Sequence, residues 1–504
     1  MLWAGKSAVE IAAAVRAGEV TPATVMADHL RVITEREPRV SAFRLVRKQA
    51  IDEARAVGAR GDLARLPLAG VPVAVKDNLA VAGETPRHGS AAVGTARAAA
   101  DHPAVARLRA AGAVIVGLTN MPELGLVGFG DSAFGTVRNP WSPARTAGGS
   151  SSGSAAAVSA GMVPIALGND GMGSLRIPAA CCGVLAVKPG PGLVPPPDDD
   201  WAGLTENGPL AWNIADLSLA LSVLAATPAL ATAWRDGSRS LRVAYAPQPL
   251  PFGLPMDPQF RAAVRAAAAT LRRAGHTTTR HRRRMPQWLG LSTAAFWLSR
   301  AAAAVDTADA SDLKPEDPDT MRAAAQVTAL GARGTALDSG QDLGKGPAQD
   351  IGAGAVHGSA RTVTVRVLER RTRALARAGR ILRTLGLDGA KGRERWRSQA
   401  ADDWFADADV ILTPTLAAPP PNAARWGERG LIRNLLANAS YAPVTGMWNM
   451  SGWPALSVPI ATHTTGVPIS VQLIARPGSD HLLLALAAHL TDAHPPVRAP
   501  GYSL

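Results

Sequence analysis

Between Gly148 and Arg176 the chain reads GGSSSGSAAAVSAGMVPIALGNDGMGSLR. Glycine and serine in this proportion are the usual composition of a flexible linker. The middle of the run, AAAVSAGMVPIAL, is almost wholly apolar, and a linker has no use for that. Its alanines favour helix, and the Gly-rich turn before them puts Ser150 to Gly153 at a helix N-terminus, where backbone N–H groups have no intrahelical acceptor. GNDGMGS, from Gly168, is a second tight loop whose glycines let the backbone adopt positive φ and come close to a ligand. Two serine-bearing glycine loops therefore flank one buried helix and strand. A site that aims N–H donors at an oxyanion, with a hydroxyl nucleophile beside them, needs that arrangement.

Elsewhere the hydrophobic period alternates between helix and strand. Helical spacing with start and stop signals covers Ser7 to Gly18, Thr21 to Ile33, Val46 to Ala56 and Pro103 to Ala111. Short β-rich runs lie between or after them: GVPVAVKD at Gly70, AVIVGL at Ala113, LRVAYAP at Leu241, VILTPT at Val410, ALSVPI at Ala455 and PISVQLIA at Pro468. Such alternation predicts an α/β fold with a sheet covered by helices on both faces. The stretch 230–398 differs, being Ala/Arg-rich, with helices expected at Pro258 to Ala274 and Arg361 to Leu385 and almost no strand beyond LRVAYAP. It reads as a mostly helical insertion or lid. No internal repeat is visible.

Bulk properties exclude several classes of function. At 504 residues, 47% hydrophobic and 18% charged, the chain has the composition of a folded protein. No stretch reaches the roughly 18 consecutive apolar residues of a membrane span, and MLWAGKSAVEIAAAVRAGEV lacks the apolar centre of a signal peptide, so the expected location is cytoplasmic. The two cysteines, Cys181 and Cys182, are adjacent and build neither a disulfide framework nor a zinc site, and the 10 histidines show no H-E-x-x-H spacing. No metal or cofactor is expected. The net charge of +13 is spread along the chain, its densest run being Arg280 to Arg284, and no nucleic-acid motif accompanies it. It reads as a basic surface that bears on solubility.

A hydroxyl nucleophile needs a base. His88 and His102 sit in polar loops, and lysine is scarce: Lys6, Lys48, Lys76, Lys188, Lys314, Lys345 and Lys391 are all there are. Lys76 ends the apolar run PVAVK, where a lysine either points from the sheet into a cleft with a lowered pKa or snorkels outward. Position alone leaves both open.

At this point three segments, GVPVAVKDN from Gly70, GGSSSGSAAAVSAG from Gly148 and GNDGMGSLRIPAACCGVLAVKP from Gly168, resemble the signature of the amidase signature hydrolases. LTPTLAAPP, WNMSGWPALSVPI and GVPISVQLIARPG resemble that family's C-terminal blocks, and the resemblance weakens only between about 230 and 400. It implies the amidase signature fold over 1–504, with a signature core at 60–215, a variable insertion at 230–398 and a C-terminal part, 399–504, that completes the mixed sheet. It also implies a Ser-cisSer-Lys triad. Lys76 matches the family's general base, Ser150 the relay serine that follows a cis peptide bond, and Ser174 the nucleophile that forms an acyl-enzyme. The Gly171, Met172 and Gly173 amides, with that of Ser174, match the oxyanion hole. Asp170 and Arg176 match residues that hold this loop by an ion pair or hydrogen bonds. Ser151 is expected either to bond Lys76 or to cap the following helix.

The chain departs from the family's usual GGSSGGS and GTDTGGS at Ser152, Asn169, Gly171 and Met172, so the pocket is expected to differ in shape. GSSSG from Gly149 also fits a G-x-S-x-G elbow with Ser151 as nucleophile, but that elbow needs a preceding strand and PWSPARTA reads as a proline-broken loop. SDLK, from Ser311, fits S-x-x-K, but Pro315 biases Lys314 away from helix. The resemblance implies hydrolysis of a small-molecule amide, linear or cyclic, the alternative being a glutaminase-type subunit of an amidotransferase complex. A homodimer is compatible with the sequence. Among 12 tryptophans, Trp201, Trp212, Trp448 and Trp453 are candidates for an apolar pocket, with Trp448 and Trp453 preferred.

Overall fold

Every one of the six β-rich runs becomes a strand in the computed structural model, which describes residues 2–93, 96–237, 239–250, 254–282, 285–311, 368–400 and 404–502. In chain order the strands begin β1 (Phe43–Val46), β2 (Pro72–Lys76), β3 (Val114–Thr119), β4 (Asp131–Ser132), β5 (Gly135–Thr136), β6 (Arg138–Asn139) and β7 (Ser142–Thr146). They continue with β8 (Ile165–Asp170), β9 (Leu185–Lys188), β10 (Glu206–Ala211), β11 (Arg242–Tyr245) and β12 (Thr277–Arg280). The last are β13 (Val410–Pro414), β14 (Ala455–Thr462) and β15 (Pro468–Ala475).

Eleven strands form one mixed sheet in the order β1-β3-β2-β8-β10-β9-β14-β15-β13-β11-β12. Its parallel pairs are β2 with β3 and β8, and β11 with β12 and β13. All residues of β2, β8, β9, β10, β13 and β15 are buried, so both faces of the sheet are covered. Helix Ser152–Ser159 packs on β8 and β2, while helix Arg176–Cys182 packs on β9, β14 and β15.

Several boundaries differ from the sequence reading. The helix expected at Thr21 to Ile33 runs over Pro22–Val40, because Arg36 and Val40 continue the buried stripe of His29, Val32 and Ile33. The expected helix from Val46 starts later, at Ala50, and Phe43–Val46 pairs with β3 instead. Residues of PWSPARTA are not irregular: Ser142–Thr146 is β7, which pairs with the two residues of β6 and lies outside the main sheet. Within 230–398, β12 is a second strand that polar threonines disguise, and with β11 it forms one edge of the central sheet. Helix Arg370–Thr384 covers the described part of the helix expected at Arg361 to Leu385. Lys314 and Pro315 of the S-x-x-K match lie outside the described residues.

The feature that builds the site is the parallel pairing of β2 with β8, in which Val75 lies opposite Leu167. Both strands finish at the same edge of the sheet. Lys76 and the residues from Gly168 onward are thereby delivered to one place.

Candidate active site

Lys76 is wholly buried, and its Nζ lies 2.8 Å from Ser150 Oγ and 2.6 Å from Asn169 Oδ1. Burial pushes its pKa down to about 7, against the opposing field of the Asp170 carboxylate. Ser150 follows a cis Gly149–Ser150 peptide bond. Position 149 has to be glycine, because a Cβ there would run into the carbonyl oxygens of Phe129 and Val127. Ser174 is half-buried and lines the same cavity as Ser150 and Asn169. The two serine loops are joined directly, since the Ser151 N–H donates to the Ser174 carbonyl at 3.1 Å.

Ser151 fills neither of its expected roles. Its hydroxyl donates to the Asn169 carbonyl at 3.1 Å, so it neither caps helix Ser152–Ser159 through its side chain nor bonds Lys76. The carbonyl near the end of β8 offers a fixed acceptor, and Gly168 leaves the space, since a Cβ there would stand 2.7 Å from Ser151 Oγ. Ser152 turns away from the cavity and bonds the Asn120 carbonyl at 3.2 Å.

Asp170 and Arg176 form a fully buried, two-point ion pair, Nε to Oδ2 at 2.9 Å and Nη2 to Oδ1 at 3.0 Å. Burial alone would raise the Asp170 pKa, but Arg176 and the Asn449 amide hold it well below the usual carboxylate range. The same carboxylate accepts the Gly173 N–H at 2.6 Å and the Leu175 N–H at 3.1 Å. The Gly173 N–H, which the resemblance counts as an oxyanion donor, is therefore committed to Asp170. Among the described residues no protein acceptor takes the N–H of Gly171, Met172 or Ser174. Gly173 has φ of 114°, and a Cβ there would strike Thr445. Thr445 Oγ1 in turn donates to the Met172 carbonyl at 3.0 Å.

The cavity has a volume of about 530 Å³ and a largely apolar wall. Met172 forms part of that wall, packed towards Gly446. Helix Gln287–Ser311, from the expected insertion, contributes Leu291, Ala294, Trp297 and Leu298, and Trp297 Nε1 anchors it to the Leu126 carbonyl at 2.7 Å. The tryptophans at the cavity are Trp201 and Trp297. Trp448 and Trp453 do not reach it. They are consumed with Trp396 and Trp404 in a buried aromatic cluster, and Trp212 stacks under Arg498. Among the described residues no group of three or more His, Cys, Asp or Glu side chains could hold a metal ion, and no helix is long and apolar enough to cross a membrane.

Comparison with known proteins identifies the family. The sequence matches the Amidase family over residues 25–484. The chain belongs to the amidase signature family. This amidase is 36% identical over 490 residues to AmiB2 of Mycobacterium tuberculosis, which carries the name of an amidase, with 95% of this chain and 94% of that protein covered. It is 30% identical over 526 residues to the 6-aminohexanoate-cyclic-dimer hydrolase of Paenarthrobacter ureafaciens, covering 98% and 95%. A solved structure of 6-aminohexanoate cyclic dimer hydrolase superimposes with a TM-score of 0.76 at 26% identity, covering 100% of this chain and 99% of that one. The protein is thus an amide hydrolase with the amidase signature α/β fold.

Sequence reasoning named Lys76, Ser150, Ser174, Asp170 and Arg176. It missed the parts of four residues around them: Asn169 as a partner of Lys76, Asn78 as the acceptor behind Asn169, and Thr445 and Asn449 against the Asp170–Ser174 loop. Asn169 had a visible signal, being a departure from the family's usual threonine. The last two sit in a distant block, and their contacts exist only in the fold.

Proposed function

We propose that the amidase hydrolyses an uncharged small-molecule amide through an acyl-enzyme on Ser174. Neutral Lys76 takes the proton of Ser150 while Ser150 takes that of Ser174, whose Oγ attacks the amide carbonyl. The N–H groups of Gly171, Met172 and Ser174 stabilise the tetrahedral oxyanion, one such donor commonly being worth about 3 kcal/mol. The proton returns along the same path to the leaving amine. Water then repeats the sequence on the acyl-enzyme, and Asp170 with Arg176 keeps the donor loop in shape.

The observation that carries this reading is the 2.8 Å contact between a buried lysine, with a pKa of about 7, and the hydroxyl of Ser150. The substrate class follows from the wall of the cavity. Among the described residues its one ionisable lining side chain besides the proposed machinery is Asp199, which is exposed with Arg300 3.6 Å away, so aliphatic or aromatic amides without a charge near the scissile bond fit best. An amide between methylene chains, as in the substrate named for the cyclic-dimer hydrolase, belongs to this class.

The test is a panel of cyclic, aryl and aliphatic amides given to the isolated chain, with intact-mass detection of the acyl adduct. The wild type should turn over at least one apolar amide without a copurifying partner, and folded Ser174→Ala should neither turn over nor acylate. Wild-type turnover by Ser174→Ala overturns the reading. Dependence on a partner subunit would point instead to the glutaminase-type alternative.

A further inference from the structure

Among the described residues Lys76 Nζ has two side-chain partners, and they are of different kinds. Ser150 Oγ can donate or accept a hydrogen bond, whereas the oxygen of an amide can only accept. Which end of the Asn169 amide faces the lysine is fixed from behind, because Asn169 Nδ2 donates to Asn78 Oδ1 at 3.0 Å. The nitrogen is thereby engaged, and Oδ1 is left 2.6 Å from Lys76 Nζ. Asn169 is itself buried and is anchored through its own carbonyl by Ser151.

We propose that Asn169, held by Asn78, is a positioning residue that takes one N–H of the Lys76 amine and so turns the amine's lone pair toward Ser150. The inference rests on the reading of Lys76 as general base. A neutral primary amine has two hydrogens and one lone pair, and on a free side chain the lone pair points anywhere. With one N–H fixed on Asn169, rotation about the Cε–Nζ bond is locked, and the lone pair can meet the Ser150 proton. The relay then runs from Ser174 through Ser150 to Lys76 without a rearrangement of the base. The amide oxygen does this without adding charge, so the lysine can stay neutral near pH 7.

The charged groups around Lys76 are few. On β8 there is Asp170, paired with Arg176, and next in the chain there is Asp77, paired with Arg44 at 2.7 Å. The neighbouring residue on β3 is Thr119, and helix Ser152–Ser159 carries no ionisable side chain. A charge placed at position 169 would therefore act on Lys76 directly.

Asn169→Asp keeps the acceptor and adds that charge. The acid limb of log kcat/KM should move up by about 1 to 3 pH units, the shift expected from an opposite charge in contact. Asn169→Leu keeps the volume and removes the acceptor. Its kcat should fall about 10- to 100-fold with KM little changed, part of the about 10² to 10⁴ that a positioned base contributes. Asn78→Ala should lower kcat in the same direction but less, and in the Asn169→Leu background it should have no further effect, since the two amides act as one unit. An unmoved acid limb in Asn169→Asp, or wild-type kcat in folded Asn169→Leu, overturns the proposal. Lys76→Arg separates the two levels. If it is inactive while Asn169→Asp has the wild-type profile, only the role of Asn169 falls; if it is active, the base and the proposal fall together.

Discussion

The ends of β2 and β9 carry the same tripeptide, Ala74 to Lys76 and Ala186 to Lys188, and each places a fully buried lysine on the central sheet. Burial lowers both, Lys76 to about 7 and Lys188 to about 8. Their surroundings separate them. Lys76 faces a serine hydroxyl and an amide oxygen of two residues that line the cavity, with one carboxylate, Asp170, opposing the shift. Lys188 donates to the Pro189 carbonyl at 3.1 Å; Arg176 adds to the lowering by burial, and the carboxylates of Glu206, Asp170 and Asp480 oppose it. None of these partners lines the cavity. A perturbed lysine is therefore common to both strand ends, and the hydroxyl beside Lys76 is what supports the proposal of that one as the base. Desolvation sets the proton affinity, and the partner sets the use.

The sharpest way to break this comparison is to treat both lysines alike. Lys76→Arg should lose about 10³-fold or more in acylation, because arginine keeps the charge but cannot accept a proton at working pH. Lys188→Met should keep kcat per folded molecule within about tenfold while costing about 3 kcal/mol in urea unfolding, since it strands Glu206 and Asp480. Equal loss of activity in the two variants would make Lys188 part of the chemistry.

The pH profile gives the next largest effect. In the proposed mechanism neutral Lys76 is the active form, so log kcat/KM should rise with unit slope below pH about 7 and level off above it. Lys188→Met should leave that midpoint in place. A midpoint that follows the second lysine would reverse the assignment.

Smaller again is the contribution of the cavity wall. Trp297→Ala removes an aromatic surface and the anchor on the Leu126 carbonyl. KM for an apolar amide should rise about tenfold, equivalent to about 1.4 kcal/mol, with a smaller change in kcat. A pure kcat effect would place Trp297 closer to the reacting atoms than the wall.

The smallest effect on activity tests burial without chemistry. Glu369 is pushed up to about 7, mainly by burial, although Arg371 sits 2.6 Å away. Its folded pKa lies above its unfolded value of 4.5, so its stabilising contribution is whole below about pH 4.5 and is lost as pH rises through about 7. Glu369→Gln should therefore flatten the stability profile between pH 5 and 8 by about 2 kcal/mol, with activity near wild type. Thermal unfolding at several pH values checks it.

The paired lysines also explain how far the sequence could be read. PVAVK and LAVK are the same signal to any local rule, and only the resemblance of the blocks around them picked Lys76. The aliphatic strands were legible because burial on both faces leaves an unbroken apolar run. β12 was not, because TTTR carries no such run, and β10, ENGPLA, begins with polar residues that the fold buries. The glycine loops were legible as loops, yet the commitment of the Gly173 N–H to Asp170 was not, since it depends on where a side chain three residues earlier turns. Trp297 was hidden by its place in a segment with no resemblance, and Trp448 misled because apolar bulk looks the same in a core as in a cavity wall.

The contacts of Arg176 carry a consequence for the order in which the protein is made. Its guanidinium reaches the Thr445 carbonyl, Asn449 Oδ1 and Gln472 Oε1, which lie 269, 273 and 296 positions later in the chain. A ribosome will have produced Lys76, Ser150 and Ser174 long before any of these partners emerges. Until then the arginine beside Asp170 lacks its far-side acceptors, and the loop above it lacks Thr445. The growing polypeptide thus carries Lys76, Ser150 and Ser174 well before Arg176 finds its far-side acceptors, and the loop that bears Ser174 gains its full set of contacts only as the last segments emerge.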